Sequence, residues 1–253
     1  MAKVKTLILR APGTNCDWET AFAFEQAGSQ VELVHINEII RRDKVLSDYQ
    51  IMVVPGGFTY GDDISGGRIL ANELRLNLGE QIRDFVADGK LILGICNGLQ
   101  VLVKAGILYG LKGESRHPLT LFSNDSGRFE CRWVYLRTNA NIHCVFTRGI
   151  ERMYLPIAHG EGKIVTRSGI SNAAVYYTDD KGRIDAGYPH NPNGSIDNIA
   201  GVCDETGRVF ALMPHPERFI RWTQHPRWTR EPPSEVGDGF AIFSNAVHWA
   251  KSI

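Results

Sequence analysis

Two kinds of side chain in this sequence could act together on a covalent bond: a cysteine set between glycines, and histidines placed two residues before a glutamate. Cys96 lies in Gly94-Ile95-Cys96-Asn97-Gly98-Leu99-Gln100. Ahead of it Leu91, Ile92 and Leu93 form an unbroken apolar run, the pattern of a strand buried on both faces. Behind it Leu99, Leu102 and Val103 recur at helical spacing. The spacing predicts strand, tight turn and helix, with Cys96 at the corner of a nucleophile elbow. Flanking glycines leave room for close backbone approach in so sharp a turn. A sulfur at a helix N-terminus is favoured as thiolate, its reactive form. The backbone N–H of Asn97 would then face an oxyanion formed by attack of Cys96. The plainer alternative is a free cysteine buried at a strand end.

A cysteine nucleophile needs a general base, and the base an orienting carboxylate. His159-Gly160-Glu161 and His215-Pro216-Glu217 both follow apolar runs, and on a strand each His and Glu would share one face. Prolines on both sides stiffen His215, whereas glycines loosen the other site, which favours His215 and leaves His159 open. His35, His117, His143, His190, His225 and His248 lack such a partner and read as structural or surface residues. The glycine-rich stretch Pro55-Gly56-Gly57-Phe58-Thr59-Tyr60-Gly61-Asp62 has the wrong spacing for a phosphate loop and no Gly-Lys-Ser/Thr after it. Its adjacent glycines suit a second backbone donor to the oxyanion, from Gly57.

These residues need a scaffold, and the chain is long enough to supply one. With 253 residues and 43% hydrophobic content it can bury a core as one domain spanning 1–253. Lys+Arg and Asp+Glu both number 28, so no net field draws nucleic acid or an anionic membrane. The apolar stretch before Arg10 is too short for a signal-peptide core, and no other run could span a bilayer. Five scattered cysteines without a C-x-x-C pair argue against a disulfide framework and against a metal site, and for a reduced, cytoplasmic setting.

The first half alternates strand with helix. Val4 to Leu9, Val31 to Ile36 and Ile51 to Val54 read as strands, and Asp17 as the cap of a helix that Gly28 stops. A short helix is expected from Glu38 to about Leu46. A long one is expected from Ile69 to Ala87, with Leu70, Leu74, Leu78, Ile82 and Phe85 or Val86 on one stripe. Such alternation predicts βαβ units, a mainly parallel sheet and working loops at its carboxyl edge. From about Gly110 the pattern shortens. Phe129 to Leu136, Met153 to Ala158, Lys163 to Thr166, Ala174 to Thr178 and Ile199 to Val202 predict antiparallel strands and hairpins inserted into, or extending, the sheet. Val209 to Met213 is a further buried strand, and Phe240 to about Trp249 a closing amphipathic helix. Trp222 to Arg230 mixes aromatics with arginines, as docking surfaces do, and reads equally as a loop packed on its own domain.

The elbow, together with His215-Pro216-Glu217, resembles the class I, or triad, glutamine amidotransferases, which use Cys, His and Glu to hydrolyse glutamine to glutamate and ammonia. More narrowly, Pro12-Gly13-Thr14-Asn15-Cys16-Asp17, Pro55 to Asp62, Ser126-Gly127-Arg128-Phe129-Glu130, His159 to Gly162, Asn191 to Ser195 and Met213 to Arg218 are similar to segments of one group of that family. It is the glutaminase components of the phosphoribosylformylglycinamidine synthases, ammonia-using ATP ligases of purine synthesis. The resemblance implies a flavodoxin-like α/β fold with added antiparallel strands. It implies Cys96 as nucleophile, His215 as base and then acid, Glu217 orienting His215, and His159 as a structural neighbour. It further implies an oxyanion hole from backbone groups of Gly57 and Asn97, with Phe58 and Gln100 contacting glutamine. No cofactor is expected in this chain; ATP and Mg belong to a synthetase subunit that converts formylglycinamide ribonucleotide to formylglycinamidine ribonucleotide, and a small accessory subunit fits the same scheme. Phe219 to Gly239 looks more like the end of the long, fused form of that enzyme. Two competing readings share the elbow: a cysteine hydrolase of another type, and a catalytically silent subunit that only senses glutamine.

Overall fold

The apolar runs that precede Cys96 and His215 become neighbouring parallel strands. The computed structural model describes residues 3–109, 119–166 and 169–253; the expectation for His117 lies outside them. In chain order the elements are β1 (Lys5–Arg10), α1 (Asp17–Gln26), β2 (Gln30–His35), α2 (Ile36–Ile40), β3 (Ile51–Val54), α3 (Arg68–Ala87), β4 (Leu91–Ile95) and α4 (Asn97–Ala105). There follow β5 (Leu119–Phe122), β6 (Glu130–Thr138), β7 (Arg152–His159), β8 (Lys163–Thr166), β9 (Ala173–Thr178), β10 (Ile199–Cys203), β11 (Val209–Leu212) and α5 (Phe240–Ala250).

Among the described residues these strands form one nine-stranded sheet, ordered β2-β1-β3-β4-β11-β10-β9-β6-β7, and a separate antiparallel pair, β5-β8. β2, β1, β3, β4 and β11 run parallel. Their order is that of a flavodoxin-like sheet, whose ligands gather beyond the carboxyl ends of the strands. The remaining four extend it antiparallel. Every residue of β3, β4 and β11 is buried, because helices cover both faces of a parallel sheet. β7 instead alternates buried with part-exposed positions, the pattern of a sheet with one wet face.

Several local expectations are corrected. Asp17 does not cap α1: Cys16 holds the cap position, and the buried Asp17 carboxylate pairs with Arg10 at 2.7 Å. β2 ends at His35, whose ring accepts from the Asn37 N–H while Glu38 bonds back to the His35 N–H; Ile36 therefore opens a helix. That helix stops at Ile40, and Arg42 turns left-handed (φ 64°), so the longer helix to Leu46 is replaced by a turn at Leu46–Asp48. His215 and Glu217 do not share a strand. β11 closes at Leu212, and Pro216–Arg218 forms one 3₁₀ turn.

The tail 219–239 packs largely on its own domain. Phe219 is buried against Trp133 (ring centroids 5.3 Å apart), and Trp222 stacks on His225 at 4.9 Å. Asp238 accepts a hydrogen bond from the Tyr154 N–H (2.8 Å). The docking reading of residues 222–230 thus loses two of its aromatics to intramolecular stacking, leaving Trp228 exposed.

Candidate active site

The site is assembled from four loops at the carboxyl edge of the parallel strands, after β1, β3, β4 and β11. At the β4–α4 corner Cys96 adopts φ 51°, ψ −103°, a conformation L residues avoid. The two glycines beside it are there for space. A Cβ on Gly94 would meet Leu102 Cδ1 at 2.7 Å, and one on Gly98 would run into the Val54 carbonyl. The Cys96 N–H is fixed by the Leu212 carbonyl at 2.8 Å, which joins the elbow to the strand that delivers His215. Cys96 itself is almost buried, its thiol 3.7 Å from the Ala158 carbonyl.

His215 is buried beneath this corner, its N–H bonded to the Pro156 carbonyl (2.8 Å) and its Nδ1 2.6 Å from Glu217 Oε1. Burial pulls the imidazole pKa down, but the Glu217 charge and the Cys96 and Cys16 thiols outweigh it and hold it well above the ordinary histidine value. Nε2 makes no hydrogen bond of good geometry. An imidazole with its far nitrogen oriented by a carboxylate and its near nitrogen free is equipped to exchange a proton with a neighbouring sulfur.

The second His-x-Glu pair is split. His159 Nδ1 lies 3.1 Å from Asn124 Oδ1, and burial, followed by the His215 charge, drives its pKa down to about 3. Glu161 turns away to pair with Lys104 (2.7 Å) and to accept the Gly66 N–H (3.0 Å). His159 therefore stays neutral and lacks the carboxylate partner that spacing alone offered it.

The first turn of α4 ties the surrounding loops together. Asn97 Oδ1 accepts from the Thr59 N–H (3.2 Å) and hydroxyl (2.7 Å), while its amide donates to Asp62 (3.0 Å) and Gln100 (2.7 Å). Gln100 is buried and donates to the Glu161 carbonyl at 2.6 Å, so both ends of its carboxamide are engaged within the protein. The Asn97 backbone N–H, at the helix start, has no intrahelical acceptor to satisfy it. Gly57 (φ 154°) packs against the loop after β1, where a Cβ would approach the Gly13 carbonyl and the Asn15 N–H within 2.9 Å. Thr14 and Gly57 form a bridge, which fixes the two loops to each other. Phe58 stands at the rim, half exposed, 6.4 Å from the Phe129 ring.

Sequence reasoning missed Cys16 and Arg218. Cys16 Sγ accepts from Arg218 Nη2 at 3.1 Å and touches the His215 imidazole, and burial pushes its own pKa up. Cys16 lies in the Pro12-to-Asp17 segment that carries the family resemblance, and it follows β1, a strand at the sheet's switch point, but neither signal says which side chain it meets.

An elbow cysteine and an imidazole–carboxylate pair at the carboxyl edge of a flavodoxin-like sheet define a triad-type hydrolase site. Residues 3–250 match the family of CobB/CobQ-like glutamine amidotransferase domains, and the chain belongs to that family. It is 57% identical to the phosphoribosylformylglycinamidine synthase subunit PurQ of Dehalococcoides mccartyi, covering 100% of both chains. It is 40% identical to the protein of that name from Methanococcus maripaludis, covering 97% of each. The structure of PurLQS from Thermotoga maritima contains a chain 33% identical, with a TM-score of 0.76 and coverage of 98% and 99%. The tail 219–239 therefore falls within the length shared with separately named subunits, contrary to the likeness to the fused enzyme.

Proposed function

We propose that this chain is the glutaminase component of a phosphoribosylformylglycinamidine synthase, splitting glutamine into glutamate and ammonia and passing the ammonia to a synthetase partner. The observation that carries the reading is the convergence of Cys96 with His215 and Glu217 from two hydrogen-bonded strands, β4 and β11. Full-length identity to relatives bearing that subunit's name supports the same substrate and partnership.

In this reading His215 takes the Cys96 proton and the thiolate attacks the side-chain amide carbon of glutamine. The backbone N–H groups of Asn97 and Gly57 hold the oxyanion. His215, now imidazolium and steadied by Glu217, protonates departing ammonia, then activates the water that releases glutamate from the thioester. Phe58 forms the rim of the glutamine pocket. Gln100 contributes by fixing Asn97 and, on rearrangement of its bond to Glu161, by contacting the substrate. ATP, Mg and the ribonucleotide bind the synthetase subunit, converting formylglycinamide ribonucleotide to formylglycinamidine ribonucleotide, with a small accessory subunit as a further member. The cell compartment is the cytoplasm; among the described residues no helix is long and apolar enough to cross a membrane.

The test is Cys96→Ala in the reconstituted complex. Glutamine-dependent synthesis should vanish while synthesis from added ammonia persists. Retained glutamine turnover would remove the reading.

A further inference from the structure

The loops after β1 and β11 bring unlike metal-binding atoms together beside the elbow. The Cys16 sulfur, a His215 ring nitrogen and a Glu217 carboxylate oxygen all lie within 4.8 Å of one another, and all three residues are buried. Around a tetrahedral zinc ion, with bonds of about 2.0–2.3 Å, ligand atoms sit roughly 3.5 Å apart. His215 Nδ1 and Glu217 Oε1, now 2.6 Å apart, would part by about 1 Å while the sulfur closes in for the three to share an ion. One of the cluster's polar atoms also lacks a partner. Glu217 Oε2 is buried without a hydrogen bond, in a side chain exposed by 0%. Groups so placed normally find one.

From this geometry we infer that Cys16, His215 and Glu217 form a binding site for a soft or borderline divalent cation, zinc being the fitting case, and that occupancy silences the site by removing its base. Thiolate, imidazole and carboxylate are the ligand types zinc takes, whereas magnesium and calcium prefer all-oxygen sets. Binding forms one metal–sulfur, one metal–nitrogen and one metal–oxygen bond. The Cys16 thiol proton and the proton that His215 Nδ1 shares with Glu217 both leave to solvent, and no electron is transferred. The shared edge between His215 and Glu217 opens as their hydrogen bond (2.6 Å) is replaced by bonds to the ion. Arg218 orients the Cys16 sulfur towards the cluster by donating to it at 3.1 Å. Gly56 leaves the space: a Cβ there would come within 2.9 Å of His215 Cε1 and 3.0 Å of the Cys16 sulfur.

The site uses residues of the proposed catalytic centre but not Cys96, and this separates it from ordinary metal attack on a reactive thiol. Zinc binding is measured on the full-length chain by competition with a chromophoric chelator, and cobalt is substituted to read sulfur ligation from its charge-transfer band. The parent should bind one ion with that band. Cys96→Ser should bind equally well, although it lacks glutaminase activity. Cys16→Ser should lose the band and bind at least about a hundredfold more weakly. Circular dichroism checks that both variants fold, and Cys16→Ala serves as a second variant should Cys16→Ser misfold. A parent that binds no ion, an ion lost in Cys96→Ser, or one kept in the folded Cys16 variants would each overturn the inference. The binding readout stands apart from the glutaminase reading, and only the silencing rests on that reading: glutaminase turnover of the parent should be lost when zinc fills the site and return with chelator, and turnover that persists with the ion bound would overturn the silencing.

Discussion

Replacing Glu217 by Gln is the sharpest perturbation of the proposed mechanism, since it keeps shape and removes one charge. Glu217 is fully buried, and Oε1 lies 2.6 Å from His215 Nδ1. Burial acts to lower the His215 pKa, and the Glu217 charge is the largest of the influences that raise it above the ordinary value. A hydrogen bond to a charged group contributes about 1.5–3 kcal/mol net. If that energy is realised when imidazolium forms in the transition state, its loss slows turnover roughly 10- to 150-fold. Glutaminase kcat of Glu217→Gln, measured with the synthetase present, should fall within that range with KM little changed. Stability should respond with a defined sign. A histidine whose pKa is raised on folding adds stability that is fully present below its unfolded value, about 6.5, and lost as pH rises through the folded value. The stability gap between parent and Glu217→Gln should therefore be widest below that pH and narrow on the alkaline side. Turnover within threefold of the parent, together with a stability gap independent of pH, would refute the argument.

His159, held neutral with a pKa near 3, works in the opposite direction. The unfolded chain takes up a proton there as pH falls below about 6.5, so the parent should lose stability between that pH and about 3. Denaturation of His159→Gln across pH should show a flatter acid limb, while its kcat/KM profile keeps the limb belonging to His215. Gly98→Ala drives a methyl into the Val54 carbonyl. A cost of about 1–3 kcal/mol is expected from such overpacking, lowering Tm by about 2–4 °C per kcal/mol; an unchanged Tm would mean that the elbow can shift.

Why some of this was legible and some was not follows from what each residue feels. Leu91, Ile92 and Leu93 sit on a strand buried on both faces, so their own chemistry reports the environment. Cys96 was readable because a sharp turn demands small neighbours, and glycines are visible in a sequence. Asp17 misled because its side chain answers to Arg10 rather than to the helix start. The face-sharing argument for His215 and Glu217 failed in its geometry although the two do meet: Pro216 opens a 3₁₀ turn, which brings them into contact within one turn. Glu161 was misread for a different reason. The cation that captures it, Lys104, lies on α4, and nothing local to residue 161 reveals that pairing. Cys16 escaped notice likewise, because its partners, His215 and Arg218, arrive with the last parallel strand.

The left-handed Cys96 backbone is the fold's most exacting demand, costing about 1–3 kcal/mol for a residue with a side chain. It persists only if the surroundings leave no other choice. β4 is held between β3 and β11, Gly98 abuts the Val54 carbonyl, and Asn97 is clamped by bonds to Thr59, Asp62 and Gln100. Asn97→Ala tests whether the clamp matters, because it leaves the backbone donor in place and removes only the side chain. Two buried donors on Thr59 would lose their acceptor, at about 1–3 kcal/mol each where water cannot reach them. The midpoint of chemical denaturation should drop by the corresponding amount. If the clamp also holds the elbow in its strained form, kcat should fall and labelling of Cys96 by a glutamine-analogue electrophile should slow in proportion, although no group that touches the substrate has been removed. Lost stability with an unchanged labelling rate would show that β4 and the glycines fix the corner alone.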